Sequence, residues 1–465
     1  MTVELVKATR LMTQTEHADW LVNERINQRG VKIDRELAQL AVRYAGQEQK
    51  EISKKLAALT DWTITSHTQT ARIRDWLKDR LMLIQDARKL MLVEKDGEQK
   101  WSVDKNVRAQ LMALHGLPLD VQELLKLTDD GNRSSVAKFQ RMLDMADPED
   151  DRVRGAFIYA GAGQTGRFSS KGLQLHNSPR KCLTPAETED IRGLMKCGEV
   201  IPDVMDTLAK LLRPALIPEK GNVFVVGDWS AIEARVLPWL ANTKGSEKVL
   251  DVFRSGEDIY MHTAKEMNLD DRFIGKVATL ALGYQGSVGA FQNMAKIYGL
   301  EMSDTEAKVI VDRWRKANQW AKTLWAKCDT AAKEAVRKPG TYHEAGRLRY
   351  WCHGETLFCA LPGGYSIQYP LVKIDQETDS KFGSREVVSY AKASITPAAD
   401  AEEWPRHSLY GGILVENACQ AVAANILKNS LQQLDDVVLH CHDEIGIEVP
   451  ERLATDAALN LQKVM

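Results

Sequence analysis

Two short apolar runs near the C-terminus, split by charge, constrain this chain more than any other feature. The stretch reads VVLHCHDEIGIEVP, with Val437–Leu439 and Ile445–Val449 flanking His442, Asp443 and Glu444. Runs this short and this apolar read as buried strands, and two in succession read as a hairpin. Strands of that kind need a covered face, so helices must pack on them. The carboxylates between the runs have two readings. One is a solvated turn, for which Asp is well suited. The other is a site that needs oxygen ligands at a strand's end. Taken alone, the stretch favours the turn.

A second stretch has the same design. In NVFVVGDWSAIEARVLPWLA a near-continuous apolar strand, Val223–Val226, leads to Asp228, and a helical pattern follows. A carboxylate at the end of a buried strand is costly unless it is paired, solvated or bound to a cation. If the two strands are neighbours in one sheet, Asp228 and Asp443 converge at its edge, where such oxygen ligands suit Mg²⁺ completed by phosphate oxygens. Glu233 has a local explanation, because Ser230 and Glu233 form the S-x-x-E pattern of a capping box.

A third stretch, RFIGKVATLALGY, repeats Arg272, Lys276, Leu280 and Tyr284 at intervals of four. Each step drifts only about 40° around a helix, so the four line one side over about 18 Å. Two cations at the N-terminal end stand where the helix dipole is already positive, an arrangement that a polyanion such as a triphosphate would relieve. From Arg152 to Ala186 six basic residues (Arg152, Arg154, Arg167, Lys171, Arg180 and Lys181) occur with no acid, among Gly, Ser, Gln and Asn. That composition fits a phosphate- or base-contacting surface and a flexible solvated loop equally well.

The remaining pattern is mostly helical. A helix with Leu21 and Ile26 on its apolar stripe precedes Gly30. Asp34 is placed to cap a second helix running to about Leu59, with Leu37, Leu40, Tyr44, Ile52, Leu56 and Leu59 on one side. Further helices are expected at 69–92, 104–114, 134–146 and 203–217, and from 242 to 336, with β-type pieces around 355–390 and a helix over GGILVENACQAVAANILKNSL. At 465 residues two to four subdomains are expected. The net charge of −2 gives no bulk sign of a nucleic-acid partner. No apolar run is long enough for a transmembrane helix, the N-terminus lacks a signal-peptide pattern, and seven scattered cysteines without a C-x-x-C pair fit a reducing cytoplasm.

DWSAIEAR, RFIGKVATLALGY and HCHDE stand in the order and rough spacing of the three polymerase motifs of family A DNA polymerases, the DNA polymerase I family. TGRFSSKGLQLHNSPRK is similar to that family's T-G-R-L-S-S…L-Q-N-I-P segment. YGGILVENACQ is similar to the palm helix of its phage and prophage members, and INQRGVKID to the opening of its thumb. The matches run from about residue 17 to 449. The resemblance implies an α+β right-hand fold, an antiparallel palm sheet with helical fingers and thumb: an N-terminal palm-edge segment at 1–35, thumb at 36–150, first palm part at 151–240, fingers at 241–384, second palm part at 385–465. It implies a template-directed DNA polymerase, in a bacterial cell or an infected host, taking dNTPs and primer–template DNA.

On the same resemblance two Mg²⁺ ions would be held by Asp228, Asp443 and the Trp229 carbonyl. Glu444 would be an accessory carboxylate and Lys276 would act in catalysis. The nucleotide would meet Arg272, Lys276, Leu280, Glu233, Arg180 and Lys181, and DNA would meet Arg167, Gln174, Asn177, Tyr284, Gln420 and His442. Glu233 would exclude a ribose 2′-hydroxyl. Tyr260 falls where a triphosphate-binding His is common, with His262 two residues on. Leu280 replaces the usual aromatic against the sugar, so altered dideoxynucleotide use is expected. With 21 residues after Glu444 and about 16 before the first match, a 3′–5′ exonuclease domain and proofreading are expected to be absent from this chain, which itself suits a fragment of a longer polymerase. A monomer is expected, with room for replication accessory proteins. The rivals are an RNA-making relative, disfavoured by Glu233, a metal-dependent nuclease, for which the 272–284 stripe has no use, and a catalytically silent DNA clamp.

Overall fold

The computed structural model describes residues 12–95, 98–133, 136–179, 181–379, 383–392 and 404–465. Its first helix, Gln14–Arg29, begins at a capping box in which Thr13 and Glu16 satisfy one another's amides. Of the expected stripe, Ile26 is buried but Leu21 is 46% exposed. The inward face carries Asp19, Val22, Asn23, Ile26 and Asn27 instead. Asp19 and Asn27 can face inward because they are bonded: Asp19 accepts from the Tyr365 hydroxyl and the Gln432 amide, both at 2.6 Å, and Asn27 exchanges two bonds with the Phe157 backbone. Gly30, at φ +65°, then turns the chain so tightly that a Cβ would stand 2.5 Å from the Val153 carbonyl.

Asp34 caps the next helix, Arg35–Leu59, as expected, accepting from the Leu37 amide at 2.9 Å. Leu37, Tyr44, Ile52 and Leu56 are buried, and Leu40 and Leu59 pack at the edge of the same core. Against that face lie helices Leu119–Gly131 and Ala137–Met145. The single helix expected at 69–92 is two, Thr70–Leu81 and Gln85–Met91, followed by a hairpin of Leu92–Lys95 with Glu98–Trp101. The helix expected at 203–217 covers only Val204–Lys210. Pro214 has no amide to continue it, and Leu216–Ile217 becomes a strand beside Lys32–Ile33.

The sheet that matters most has three antiparallel strands in the order Val437–Cys441, Glu444–Pro450, Asn222–Asp228. Its middle strand is buried from Ile445 to Val449. The outer strand is less buried than its apolar sequence suggests, with Val226 54% exposed. The C-terminal helix Ala454–Val464 closes one side, so tightly at Gly227 that a Cβ there would lie 2.6 Å from Met465 Sδ. This sheet shares one core with the N-terminal helices.

A second core begins at Ile232 and runs through the helices from Ile232–Ala241 to Gln319–Arg337. It includes two further sheets. One has four strands, ordered Ser366–Tyr369, Thr356–Ala360, Leu348–His353, His343–Ala345. The other has three, Lys373–Asp379, Gly383–Ala391, Arg406–Leu409. The boundary expected at 384 therefore falls inside a strand. The helix Gly411–Leu431 joins the two cores: Leu414 to Ala423 belong to the second, Leu427 and Leu431 to the first.

Candidate active site

Asp228 stands directly opposite Glu444 in the antiparallel register, one step beyond Gly227 opposite Ile445. Residues opposed in this way send their side chains to the same face, with Cβ atoms about 5 Å apart. Asp443 occupies the adjoining two-residue turn, and its carbonyl accepts from the Trp229 amide at 3.1 Å. Positions 215 residues apart in the chain thus meet at one end of the sheet. The turn is built without glycine. His442 takes φ +57°, a left-handed conformation uncommon for a residue with a side chain and often found at functional sites.

The Asp443 carboxyl is half-buried, and burial pushes its pKa up; the charge of Glu233 adds to this while His442 and Arg167 oppose it. Among the described residues no basic side chain forms an ion pair with Asp443. Glu444 differs: both of its oxygens lie 3.4 Å from Arg213 Nη1. Among the described residues no three His, Cys, Asp or Glu side chains converge as a ready cage for a metal. An incomplete set of carboxylate oxygens at a half-buried edge fits a hard divalent cation that takes the rest of its ligands from water and phosphate. Arg213 was not anticipated. Its signal was a lone cation inside the apolar run LLRPALIP.

Glu233 does not form the expected capping box. Ala231 takes the N-cap place at φ +52°, the helix starts at Ile232, and no side chain caps it. The Glu233 carboxylate is therefore free for other partners: Arg167 donates to one oxygen at 2.6 Å and the Tyr284 hydroxyl to the other at 2.9 Å. Burial and the adjacent Cys419 and Glu233 hold the Tyr284 hydroxyl firmly protonated. Glu416, unremarked in the sequence, is part-buried nearby. Its pKa is raised by burial and by Glu233, and it accepts from Gln420 Nε2 at 3.1 Å.

The helix with the four-residue stripe spans Arg272–Leu282, so Tyr284 lies just past its end. Arg272, Lys276 and Leu280 are on the helix as expected, with Leu280 36% exposed. Gly275 permits close contact with the helix Ile259–Glu266, since a Cβ there would stand 1.9 Å from the Tyr260 carbonyl. That contact sets the Tyr260 ring 5.2 Å from the Arg272 guanidinium, while Lys276 Nζ lies 4.9 Å from the Tyr298 ring centre. Arg272 also donates to Asp258 at 2.7 Å.

A family model described as DNA polymerase family A matches residues 35–347. The chain belongs to this family. A DNA polymerase of Bacillus phage SP02 is 31% identical over 457 residues, covering 94% of this chain and 65% of the phage protein. DNA polymerase I of Chloroflexus aurantiacus is 24% identical over 448 residues, with 94% of this chain and 39% of that one covered. The chain thus spans less than two thirds of either relative. Among solved structures, the POL domain of Pol1 from M. smegmatis, complexed with DNA primer-template and dNTP, has a TM-score of 0.63 at 16% identity. It covers 97% of this chain and 66% of its own. The right-hand fold of family A is therefore the fold of this chain.

The remaining candidates of this family A chain are less concentrated. Gln174 has φ +48° and Asn177 closes a short 3₁₀ turn. The carbonyls of both accept from buried Lys138, at 3.0 and 3.1 Å, which ties this loop to the helix Ala137–Met145. His442 is exposed, its ring 5.5 Å from that of His176. His262 is half-buried on the helix that carries Tyr260, and Lys181 is exposed. Arg180 lies outside the described residues. The Trp229 indole donates to the Met465 carbonyl at 2.7 Å.

Proposed function

We propose that this chain is a template-directed DNA polymerase that adds dNTPs to a primer 3′-hydroxyl. The observation that carries the reading is the register of Asp228 and the Asp443 turn at one sheet end. Its proposed division is thumb 36–150, palm 1–35 with 151–240 and the C-terminal part of the chain, and fingers from 241, their end moved from 384 to beyond the strand Gly383–Ala391. Asp228, Asp443 and the Trp229 carbonyl would hold two Mg²⁺ ions. Bound there, such a pair supplies the charge that lowers the pKa of the primer hydroxyl and stabilises the departing pyrophosphate.

The side chains of the protein do the positioning. Arg272 and Lys276 at the positive end of their helix bind the triphosphate and offset charge that builds in the transition state; Tyr260 and His262 flank them, and Arg180 or Lys181 reaches the phosphates. Leu280 packs on the sugar. His442 contacts the primer terminus, Tyr284 adjoins the templating base, and Glu444 stays an accessory group on Arg213. Arg167, Gln174, Asn177 and Gln420 meet the duplex, the first and last by leaving their present carboxylate partners for minor-groove acceptors that occur in every base pair.

Glu233 forms the wall against a ribose 2′-hydroxyl, its rotamer held by the Tyr284 hydroxyl once Arg167 turns to the duplex. Glu233→Ala is expected to raise rNTP use relative to dNTP by roughly 10- to 100-fold, the scale on which a close-fitting wall discriminates. Single-nucleotide insertion kinetics check it, and an unchanged ratio would remove Glu233 from that role. The function as a whole is tested by primer extension with Mg²⁺ and four dNTPs. Templated extension by the wild type and none by Asp228→Ala is the expected pair of results. Primer degradation without dNTPs would instead favour the nuclease.

A further inference from the structure

Three carboxylates crowd one end of the sheet, Asp228, Asp443 and Glu444, and two of them are assigned to cations. The register fixes the backbone of the third. From Glu444 opposite Asp228 to Pro450 opposite Asn222, seven successive pairs lock the middle strand to its neighbour. Glu444 and Asp228 thus share a face, with Cβ atoms about 5 Å apart. A glutamate is one methylene longer than an aspartate, so from this fixed position its carboxylate has the reach to join the cation site. The direction of its side chain decides whether it does.

Arg213 sets that direction. Its Nη1 lies 3.4 Å from both Glu444 oxygens, and the two side chains are 34% and 28% exposed. At that length charge, more than a directed bond, holds the pair. The segment that carries the guanidinium has little freedom. Leu211, Leu212 and Ala215 are buried beside it, the Leu216 amide donates to the Arg213 carbonyl at 2.9 Å, and Leu216 and Ile217 pair with Ile33 and Lys32. Among the described residues Arg213 has no other acidic partner. Its Nε is buried and makes no hydrogen bond. An unmet buried donor costs free energy that an arginine turned to solvent would avoid. The guanidinium is therefore held at Glu444 at a cost to its own hydrogen bonding.

The geometry points to Arg213 as a positioning residue that withholds Glu444 from the cation site, leaving Asp228 and Asp443 to bind there with positions open for phosphate oxygens. The inference rests on the polymerase reading. Mg²⁺ is completed by water and phosphate, and the affinity of an oxygen site for a divalent cation rises with the number of carboxylates on the ion. A third carboxylate would tighten the site for the free cation and occupy a position that the triphosphate needs.

The test is Mn²⁺ binding to the full chain without DNA or nucleotide, followed by loss of the free-ion electron paramagnetic resonance signal, in wild type, R213M, E444Q and R213M/E444Q. R213M is expected to bind Mn²⁺ roughly tenfold more tightly than wild type and to insert dNTPs more slowly. In the E444Q background the same arginine change moves Mn²⁺ affinity by less than about twofold, because the effect runs through the Glu444 carboxylate. Primer–template affinity checks the fold of each variant. If R213M loses it, R213K, which keeps the charge but not the planar fork, takes its place, and the same gain dependent on Glu444 is expected. An equal gain in both backgrounds is the field of a deleted cation and overturns the positioning role, as does no gain in either. Both outcomes leave the polymerase reading in place. Wild-type Mn²⁺ binding that D443N leaves untouched removes both.

Discussion

Asp443→Asn is expected to bind primer–template with near-wild-type affinity and to extend it roughly a thousandfold more slowly, a loss of about 4 kcal/mol of transition-state stabilisation. The amide is isosteric, so the turn between Val437–Cys441 and Glu444–Pro450, including His442 at φ +57°, has no reason to change. What is lost is negative charge at a half-buried position where His442 and Arg167 do not outweigh the cost of burial and, among the described residues, no ion pair forms. Glu444→Gln should cost far less, because that carboxylate is already turned toward Arg213. Pre-steady-state insertion rates beside equilibrium DNA binding separate the two cases. Equal and small losses in both variants would mean that the sheet end is a turn and nothing more.

The largest expected effect on stability lies elsewhere in the same strand. Glu448 and Arg152 form an ion pair at 2.5 Å with side chains only 5% and 12% exposed. Every partner is in place. Glu448 also accepts from the Glu219 amide at 2.8 Å and from Asn222 at 3.1 Å, while Arg152 donates to the Arg29 and Gly30 carbonyls at 3.0 and 3.2 Å. The pair fastens the middle strand of the site to the small sheet containing Val31–Ile33. Removing one member leaves the other charge buried, so Glu448→Gln is expected to destabilise the fold by about 3–5 kcal/mol in urea titrations. Burial alone would raise the Glu448 pKa; Arg152 and the two hydrogen bonds outweigh it and leave the pKa lowered. The stabilisation is therefore present above the ordinary glutamate pKa of 4.5 and is lost as pH falls through the lower folded value. The gap between wild type and variant should accordingly close in acid. A gap that persists unchanged at pH 3 would assign the effect to packing.

Local chemistry accounts for what could be read without coordinates. Asp34 caps its helix because a carboxylate accepts from first-turn amides wherever it stands before an apolar-periodic run. The strands ending near Asp228 and Asp443 are legible because apolar runs of that length need a sheet, and the Arg272–Lys276–Leu280 spacing because helix geometry is periodic. Even their order along the chain carried the family. What sequence could not settle is which partner a side chain takes when several lie within reach only after folding. Glu233 shows this: three residues after Ser230 it looks like a cap, yet Ala231 turns left-handed and the carboxylate goes to Arg167 and Tyr284, 66 and 51 positions away. Leu21 looked buried and is exposed because Asp19 found bonds to Tyr365 and Gln432 on the inward side. Sequence determined the elements, since each depends on neighbours a few residues off. The tertiary structure alone decided the pairings, because the energy of a charge or hydrogen bond depends on distances that only packing sets.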